Sequence, residues 1–600
     1  MLISKNIGRV AAILLVLALV FTIGLTYTPG HLGIEAAASE PEYQGAMFDK
    51  DEVTTIEIEI GEEEWAAILE DPLAEEYQLC DLVINGESFS SVGIRTKGNT
   101  SLSQVAQSDS ERYSFKLKAD EYVGGQSFFG LDEFVINNVV QDSTYMKEFL
   151  SYEMMEYMGV PTPLYAYAAI YINGEYWGLY LAVEAMEEDF AERVFGTGFG
   201  ELYKPETAEM AGGNGEAAET PGGGNPGDAT GEFSAGTVSG GAVEMPSGGG
   251  FGGGAPGEAP EETISGGAVE MPSGGGFGGG APGEAPEETV SGGAVEMPSG
   301  GGFGGGAPGE APEDLASGGA VEMPSGGGFG GGMTGSGGGA DLVYTDDETE
   351  SYSDIFDNAV FSSTNEADYR RVIAALKNLS EGTELESSID VSEVLRYFAA
   401  NTAMVNLDSY VSSLKHNYVL YEESGQLSIL PWDFNLSFGT FQSSSATEAV
   451  NFPIDTPVSG VELSERPLIG ALLEVEEYAE EYHEYLQNLL DGYFNADAFS
   501  SRIDEIAAMI DSYVSADPTA FYTYEEYQAG LETLKTFGAL RSESIQGQLD
   551  GEIPSTEEGQ QADGSALVDA SSIDLSDMGT FGGGEKGGDR GRGRAGQALS

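Results

Sequence analysis

Two acidic residues that follow apolar runs are the first candidates for chemistry in this sequence. Asp408 follows a helical pattern in NTAMVNLDSY, and Asp433 lies at the end of a strand pattern in ILPWDFNLSFG. If the hairpin pattern between them folds back, the two carboxylates meet at one mouth. Such a pair, with the amide of Asn417 or Asn435 nearby, can hold Mg²⁺ through oxygen ligands while one carboxylate orients a nucleophilic hydroxyl. This chemistry is typical of phosphoryl transfer, which also needs a cation for the phosphates.

The first half of the chain supplies candidate cations. Lys116 lies on the alternating strand pattern SFKLK, and Arg95 and Lys97 flank a Gly-Asn turn in GIRTKGNTS. Structural interpretations stand beside the catalytic one, because Asp408 and Asp433 could be turn acids and Lys116 an edge-strand lysine that discourages aggregation. Spacing alone leaves both interpretations open.

Two ordered blocks must position these residues, at 46–204 and 341–549. In the first block VTTIEIEI and YSFKLKAD alternate with period two, and AYAAIYINGEYWGLYLAVEA is a hairpin with an Asn-Gly turn. STYMKEFLSYEMMEYMG has helical spacing and ends at Gly159. The second block is mainly helical, with the strand pair HNYVLYEE and QLSILPWDF. The sequence therefore predicts an α+β fold in which a strand-rich lobe precedes a helix-rich lobe.

Low-complexity segments surround the second block. The repeat SGGAVEMPSGGGFGGGAPGEAPEET begins at Ser239, Ser265, Ser291 and, shortened, Ser317. Each copy has too little apolar surface to offset the entropy of ordering, so we expect a disordered, acidic, Gly-rich insert at 205–340. We expect a second disordered segment at 550–600, which ends in the basic stretch GGGEKGGDRGRGRAG.

Composition limits the partners. The 600 residues include 101 acidic and 24 basic ones, and the formal net charge is −77. A nucleic-acid surface needs clustered Lys and Arg, so nucleic acid is not an expected partner. The single Cys80 excludes an internal disulfide framework and a Cys-based zinc site, and three His residues leave little for a His-based metal cluster.

Residues 1–38 have the features of a targeting segment. Lys5 and Arg9 precede an apolar run from Ala11 to Leu25, and EAAASE offers small residues for cleavage. The run is close to the lower length limit for spanning a bilayer, so a membrane anchor is the alternative to a cleaved signal peptide. We expect an exported protein, extracellular or at the cell surface, that meets a membrane only through this segment if it is uncleaved.

A series of motifs in the two ordered blocks carries a family resemblance. In chain order the motifs are GIRTKGNTS, SFKLK, FFGLDEFVINNVVQDSTYMKEFLSYEM, GVPTP, YINGEYWGLYLAVEAM, GELYK, NLDSY, HNYVLYEE and PWDFNLSFG. This order resembles the CotH family, the spore-coat-type atypical protein kinases, over nearly all of both blocks. The resemblance implies a two-lobed protein-kinase-like fold, with a strand-rich N-lobe and a helix-rich C-lobe. It also implies an enzyme that uses ATP and a divalent metal to phosphorylate Ser in proteins.

The resemblance assigns a role to each principal candidate. Lys116 would contact the nucleotide phosphates, and Asp408 would be the catalytic carboxylate. Asp433 would be the metal ligand that stands where kinases place the Asp of their DFG motif. Asn417 would be a second ligand, and the sequence does not choose between Mg²⁺ and Mn²⁺.

The nucleotide side of the site is less constrained by the resemblance. Arg95 and Lys97 would be further phosphate contacts. For the glutamate partner of the strand lysine, the family-like pattern DSTYMKE favours Glu148, whereas helical spacing places Glu153 on the apolar face. Glu184, at the end of GLYLAVEA, would help to position adenine where the inter-lobe hinge begins, or would be a simple strand-end charge.

Two functions follow from these observations. The first is an ATP- and Mg²⁺-dependent Ser/Thr kinase of surface or coat proteins, whose substrate is a Ser-rich protein or its own insert, with a Ser in every EMPSGGG. The joint presence of Lys116, Asp408 and Asp433 favours it. The second is a non-catalytic exported surface, coat or adhesion protein with a kinase-like body. The signal segment and the scarcity of ATP outside the cytoplasm favour the second. The sequence also departs from the kinase pattern, since no G-x-G-x-x-G loop precedes Lys116 and KGNTS is the nearest substitute.

Overall fold

The computed structural model of the chain describes residues 40–205 and 339–580. The expected signal or anchor segment at 1–38 lies outside the described residues, as do the repeats of the expected insert at 205–340 and the basic end of the expected tail. Among the helices in the described ranges, none combines the length and the apolar composition that crossing a bilayer requires.

Strands dominate the first described range and close into a barrel. They are β1 (Thr54–Ile60), β2 (Gln78–Ile84), β3 (Glu87–Lys97), β4 (Ser114–Lys118), β5 (Glu133–Asn137), β6 (Tyr165–Ile172) and β7 (Glu175–Glu184). Their order around the barrel is β1-β2-β3-β4-β5-β7-β6, and β6 returns to β1. Period-two alternation fills the interior with fully buried side chains such as Ile56, Leu82, Phe115 and Leu117.

Closure of this barrel differs from the expected kinase N-lobe, which is an open sheet. The closing contact is parallel, and it pairs Thr54 to Ile58 of β1 with Ala168 to Ile172 of β6. The predicted hairpin between β6 and β7 is confirmed, since Asn173 and Gly174 have the positive φ angles of 50° and 83° that a tight hairpin turn requires. The mixed fold, strand-rich first and helix-rich afterwards, is also confirmed, but its strand-rich part is a closed barrel.

Five helices accompany the barrel strands in the first described range, and the longest, α4, packs against the outer face of the barrel. They are α1 (Glu42–Met47), α2 (Glu62–Glu70), α3 (Thr100–Ala106), α4 (Lys147–Tyr157) and α5 (Glu188–Phe195). The helix predicted in STYMKEFLSYEMMEYMG is α4, which buries Phe149, Leu150 and Met154 and is followed by Gly159 with a left-handed φ of 70°.

The second described range is mainly helical and contains two strands of a small sheet. The helices are α6 (Ser353–Phe356), α7 (Glu366–Glu381), α8 (Leu385–Ser388), α9 (Val391–Ala403), α10 (Ala446–Val450), α11 (Pro467–Leu473), α12 (Glu476–Gly492), α13 (Ala496–Ala516), α14 (Tyr524–Leu549) and α15 (Glu557–Ala562). The sheet consists of β8 (Glu201–Tyr203), β9 (Tyr418–Glu423) and β10 (Gln426–Pro431), in the order β10-β9-β8.

One apolar core joins the barrel to the helices. Val135 of β5 and Leu181 and Val183 of β7 point out of the barrel and pack in the same buried cluster as Phe149 of α4 and Phe434, which follows β10. A separate cluster fills the barrel itself. The two faces of β5 and β7 are therefore both buried, which fixes the barrel against the helical part.

The chain after Leu549 remains packed on the body, so the disordered tail expected from residue 550 does not describe residues 551–580. Ile553, Ala570 and Met578 are buried, and the side chain of Asn451 donates to the carbonyl of Val568 at 2.9 Å. A few well-spaced apolar side chains anchor this segment, since Ala570 and Met578 belong to the same buried cluster as the helices. Composition averaged over the whole tail hides them.

Candidate functional site

The outer face of β3, β4 and β5 carries polar side chains, because alternate residues of these strands fill the barrel. In this register Arg95 lies opposite Lys116, which in turn lies opposite Val135. Lys97 and Asn137, two residues further along their strands, share that outer face. The barrel thus presents cations and an amide to the loops of the helical part.

A relay of hydrogen bonds links Lys97 to Glu148 in the first turn of α4. The Nζ of Lys97 donates to Oδ1 of Asn137 at 3.1 Å, and Nδ2 of Asn137 donates to both Glu148 oxygens at 3.0 and 3.1 Å. Burial raises the pKa of Glu148 well above its usual range, the charge of Asp433 adds to that shift and Lys97 opposes it. The cation associated with Glu148 is therefore Lys97, and Asp433 is a close electrostatic neighbour of both.

Asp433 follows β10 in a left-handed backbone conformation with a φ of 55°. Asp tolerates this region better than most residues, and such conformations concentrate at functional sites. Partial burial raises the pKa of Asp433, Lys97 opposes that shift, and Asp408 adds to it. The structure thus brings Asp433 and Asp408 together with Lys97 and Glu148.

Asp408 lies in the loop after α9 and is 8% exposed. Its Oδ1 shares a hydrogen bond with Nε2 of His416 at 2.7 Å, and its Oδ2 accepts from Nδ2 of Asn417 at 3.0 Å. The amide of Asn417 also donates to the backbone carbonyl of Asp408 at 2.9 Å. Both carboxylate oxygens are therefore oriented by the segment that leads into β9.

Backbone hydrogen bonds join the loops that carry the two aspartates. The amide of Phe438 donates to the carbonyl of Met404 at 2.7 Å, and the amide of Gly439 donates to the carbonyl of Val405 at 3.1 Å. Gly439 has a φ of 68°, and a Cβ at this position would lie 2.6 Å from Cβ of Ala449. Glycine is therefore required where the segment after Asp433 passes under the Asp408 loop.

Lys116 has a different partner from either glutamate that the sequence suggested. Its Nζ pairs with Oε1 of Glu133 on the adjacent strand at 2.5 Å. Glu148 is bonded to Asn137 as described, and Glu153 accepts from the hydroxyl of Tyr493 at 2.6 Å and pairs with Arg502 at 2.8 Å. Helical spacing places a glutamate on a face, but it does not say which strand residue that face meets.

Asp408, Asp433, Lys97 and Glu148 are called the cluster from here on. Arg95 and Glu184 have their partners outside it. Arg95 pairs with Glu75. Glu184 is fully buried and accepts hydrogen bonds from the hydroxyl of Tyr43 at 2.9 Å, from Nε of Arg193 at 3.0 Å and from the backbone amide of Leu164 at 2.9 Å. These contacts give both residues structural roles in the barrel wall. Asn435, the alternative amide, donates to Oε1 of Gln141 at 2.9 Å.

Trp432 and Lys204 lie beside the cluster, and the motif analysis did not single them out. The Nζ atoms of Lys97 and Lys204 lie 5.8 and 5.6 Å from the centroid of the Trp432 ring. Lys204 is the last residue of GELYK, and Trp432 immediately precedes Asp433. The only sequence signal for a role of Lys204 and Trp432 was their position within motifs that carry the family resemblance. His416 was likewise visible only as the first residue of HNYVLYEE.

The donor set of the cluster fits Mg²⁺. Within the described residues no three His, Cys, Asp or Glu side chains form a complete metal cage. Mg²⁺ commonly binds through one or two carboxylates and fills its octahedron with water and substrate phosphates. Asp433 supplies a carboxylate, and Asn417, whose Nδ2 is bonded to Asp408, carries an amide oxygen, a second hard atom of the kind that Mg²⁺ prefers. A divalent cation would also relieve the repulsion that adds to the raised pKa of Asp433, where the neighbouring charge is Asp408, and of Glu148, where it is Asp433.

Comparison with known proteins supplies a family and one relative. A family model described as CotH kinase protein matches residues 94–231 and 334–545, together more than half of the chain. The chain is also similar to inner spore coat protein H of Bacillus subtilis (strain 168), with 22% identity over 169 residues. That alignment covers 28% of this chain and 43% of the relative, so the chain spans less than half of the length of this relative.

Proposed function

Because this chain belongs to the CotH kinase family, we propose that it is an ATP- and Mg²⁺-dependent protein Ser/Thr kinase that acts on surface or coat proteins. Residues 46–204 and 341–549 would be its N-lobe and C-lobe, with the barrel in place of an open sheet. The proposal is carried by one observation, the convergence of Asp408, Asp433 and the Lys97 relay on a single cluster between these parts.

Each residue of the cluster has a task in the transfer. Asp433 and Asn417 would hold Mg²⁺, which when bound neutralises charge on the phosphates of ATP. Asp408 orients the hydroxyl of the substrate Ser and accepts its proton as the oxygen attacks the γ-phosphorus. The new P–O bond forms on the Ser oxygen, the bond to the β-phosphate oxygen breaks, and ADP leaves.

Lys97 takes the place that the resemblance gave to Lys116. Its ammonium is fixed by Asn137, which is itself held by Glu148. This relay would stand where kinases have a direct ion pair between lysine and glutamate. Lys116 is on the same face but is neutralised by Glu133. We assign it a secondary contact at most, together with its neighbour Lys204.

The substrate is a Ser-containing protein, and we propose that the insert of this chain is one. The repeats lie outside the described residues, but the residues that flank the insert are beside the cluster. A Cβ on Gly339 would lie 2.5 Å from the carbonyl oxygen of Pro205 and 2.1 Å from that of Lys415. Pro205 and Gly339, at the two ends of the insert, therefore lie close to each other, and Gly339 lies against Lys415, the residue before His416. Tethering at that point gives its serines a high effective concentration.

A second candidate function is a non-catalytic coat or surface component. The observation that favours it is the similarity to a coat component, inner spore coat protein H. A coat or surface location is compatible with both candidates, and we propose that location for this chain.

Phosphoryl transfer by the full chain distinguishes the two candidates. The protein is incubated with γ-labelled ATP and Mg²⁺ beside Asp408→Asn and beside Asp455→Asn, and labelled residues are mapped by mass spectrometry. Asp455 is the matched control because it also bonds a histidine, Nε2 of His483 at 2.6 Å, outside the cluster. We expect label on Ser in the wild type and in the control, and a loss of about a hundredfold or more in Asp408→Asn. Equal labelling of all three proteins, or none in the wild type, would reject the kinase proposal.

A further inference from the structure

Gln141 is a buried amide in the loop between β5 and α4, and the proposed reaction does not use it. The residue is 2% exposed, and the whole stretch 138–146 is buried, whereas connections between elements normally run over the surface. A buried amide costs free energy unless its donor and its acceptor are both bonded. The partners that Gln141 has found therefore indicate what it holds.

The side-chain amide of Gln141 joins two elements that border the cluster. Its Oε1 accepts from Nδ2 of Asn435 at 2.9 Å, in the segment after β10. Its Nε2 donates to Oε1 of Gln104 at 3.1 Å, on α3. This helix follows the turn at the end of β3, the strand of Lys97. One amide thus ties the segment that carries Asp433 to the helix that follows the Lys97 strand.

The backbone of Gln141 is fixed as well. Its carbonyl accepts from Nζ of Lys147 at 2.9 Å, and the same ammonium donates to Oγ1 of Thr440 at 3.0 Å. Gly579 packs so closely against this carbonyl that a Cβ at position 579 would clash with it. Gln141 therefore has little freedom to move, and α4, which begins with Lys147 and Glu148, is held to the same loop.

Asn435 connects this amide to Asp433. The backbone amide of Asn435 is hydrogen-bonded to the carboxylate of Asp433, and its side chain is bonded to Gln141. Groups that stand behind a metal ligand set its orientation, and their loss commonly lowers metal affinity about tenfold to a hundredfold.

We propose that Gln141 is a positioning residue for the divalent cation and fixes the orientation of Asp433 by holding Asn435. Its contacts with Gln104 and Lys147 keep that carboxylate in register with α3 and α4. This inference rests on the proposed function and adds to it a residue that acts through its neighbours. The other interpretation is that Gln141 only stabilises a buried loop.

Affinity for Mn²⁺, a spectroscopic substitute for Mg²⁺, separates the two interpretations. It is measured by electron paramagnetic resonance on the full chain without nucleotide, in the wild type, Gln141→Met, Asn435→Ala and the double variant. We expect each single variant to raise the dissociation constant about tenfold. We expect the double variant to raise it no further, because both substitutions break the same contact. Urea unfolding of the same proteins records how much stability each one loses.

The control variant is Gln548→Met, which removes another buried amide, on α14. That amide accepts from the backbone amide of Ile454 at 3.0 Å and donates to Oγ of Ser544 at 3.1 Å. We expect Gln548→Met to lose stability and to bind Mn²⁺ like the wild type.

Three results would overturn the inference while the metal centre stands: wild-type affinity in Gln141→Met, an equal loss of affinity in Gln548→Met, or losses that add in the double variant. If Gln141→Met does not fold, Asn435→Ala carries the test, and unchanged affinity in that variant overturns the inference. If the wild type binds no Mn²⁺, the proposed metal centre fails, and the inference fails with it.

Discussion

At the residue scale, Asp408 differs from an ordinary turn acid because each of its carboxylate oxygens has a dedicated donor. His416 and Asn417 bind Oδ1 and Oδ2 from the same short segment. A carboxylate held on both sides keeps one orientation, which a group that must accept a proton along a defined line needs. In the proposed reaction the metal ligand is Asp433, which has a left-handed backbone conformation and is an electrostatic neighbour of Lys97 and Glu148.

Removal of the imidazole tests this orientation. We expect His416→Ala to lower kcat about tenfold to a hundredfold, because Asp408 loses the partner of Oδ1, while KM for ATP changes little. His483→Ala removes the corresponding imidazole from Asp455 and is the matched control, with unchanged kcat. Steady-state kinetics on both variants decides the matter, and equal kcat in His416→Ala and the wild type would remove His416 from the account.

The assignment of Lys97, in place of Lys116, as the principal phosphate lysine can be tested by substitution. We expect Lys97→Met to lower kcat/KM for ATP about a hundredfold or more, since it breaks the relay to Glu148. Lys116→Met removes a lysine already paired with Glu133 and should have an effect at least tenfold smaller, in line with a secondary contact. The reverse order of the two effects would restore Lys116 as the principal phosphate lysine.

At the element scale, a buried arginine holds the end of α9, the helix that leads to Asp408. Arg541 of α14 is fully buried, and it donates to the carbonyls of Thr402 at 2.9 Å, Val450 at 3.0 Å and Phe452 at 2.7 Å. The carbonyl of Thr402 belongs to the last turn of α9, where a positive charge is favourable. Through this one side chain, α14 fixes both the helix end and the segment after α10.

Substitution of this arginine should therefore be severe. We expect Arg541→Met to lower the free energy of unfolding by about 3 kcal/mol or more, because several buried carbonyls lose their donor. Arg370→Met is the comparison, since the side chain of Arg370 is 70% exposed and pairs with the exposed Glu366, and it should change stability by less than about 0.5 kcal/mol. Urea unfolding measures both values, and a similar small effect for Arg541→Met would contradict this role.

Local sequence patterns predicted which segments form helices and strands, but they did not predict which of these elements contact each other. Period-two alternation identified strands such as β1 and β4, and the Asn173-Gly174 turn identified the β6–β7 hairpin, because both signals are local. Alternation says which face of a strand is buried, but it does not say that β1 pairs with β6 and closes the barrel. The same limit explains why a glutamate of α4 was predicted to pair with Lys116, whereas the observed partner is Glu133 on the adjacent strand.

At the scale of the whole molecule, the described ranges fall in one compact unit, and a shared core joins the barrel to the helices. The convergence of Asp408 and Asp433 was predictable because a hairpin returns the chain to its starting edge. The packing of residues 551–580 was not predictable from composition. It depends on where single apolar residues such as Ala570 and Met578 meet the existing core.

Truncation tests the place of that segment in the fold. We expect a chain that ends at Leu549 to lose about 3 to 6 kcal/mol of unfolding free energy, because the core then loses the buried Ala570 and Met578 and the apolar side chains packed against it, Val568, Ile573 and Leu575. A chain that ends at Thr580 keeps all of these contacts and is the control. Urea unfolding of the two truncated chains and the full chain gives the comparison, and equal stability of all three would show that the segment adds nothing to the fold.

If Asp433 and Asp408 form a metal-dependent centre for phosphoryl transfer, the initial rate of transfer from ATP depends on Mg²⁺, and this rate is the first quantity to measure. We expect the rate to rise with Mg²⁺ and to saturate in the wild type and in Asp455→Asn. For Asp433→Asn we expect a rate at least about a hundredfold lower at low Mg²⁺, with saturation shifted to higher concentrations. An identical Mg²⁺ dependence in Asp433→Asn and the wild type, or a rate independent of Mg²⁺, would rule out a metal centre at these aspartates.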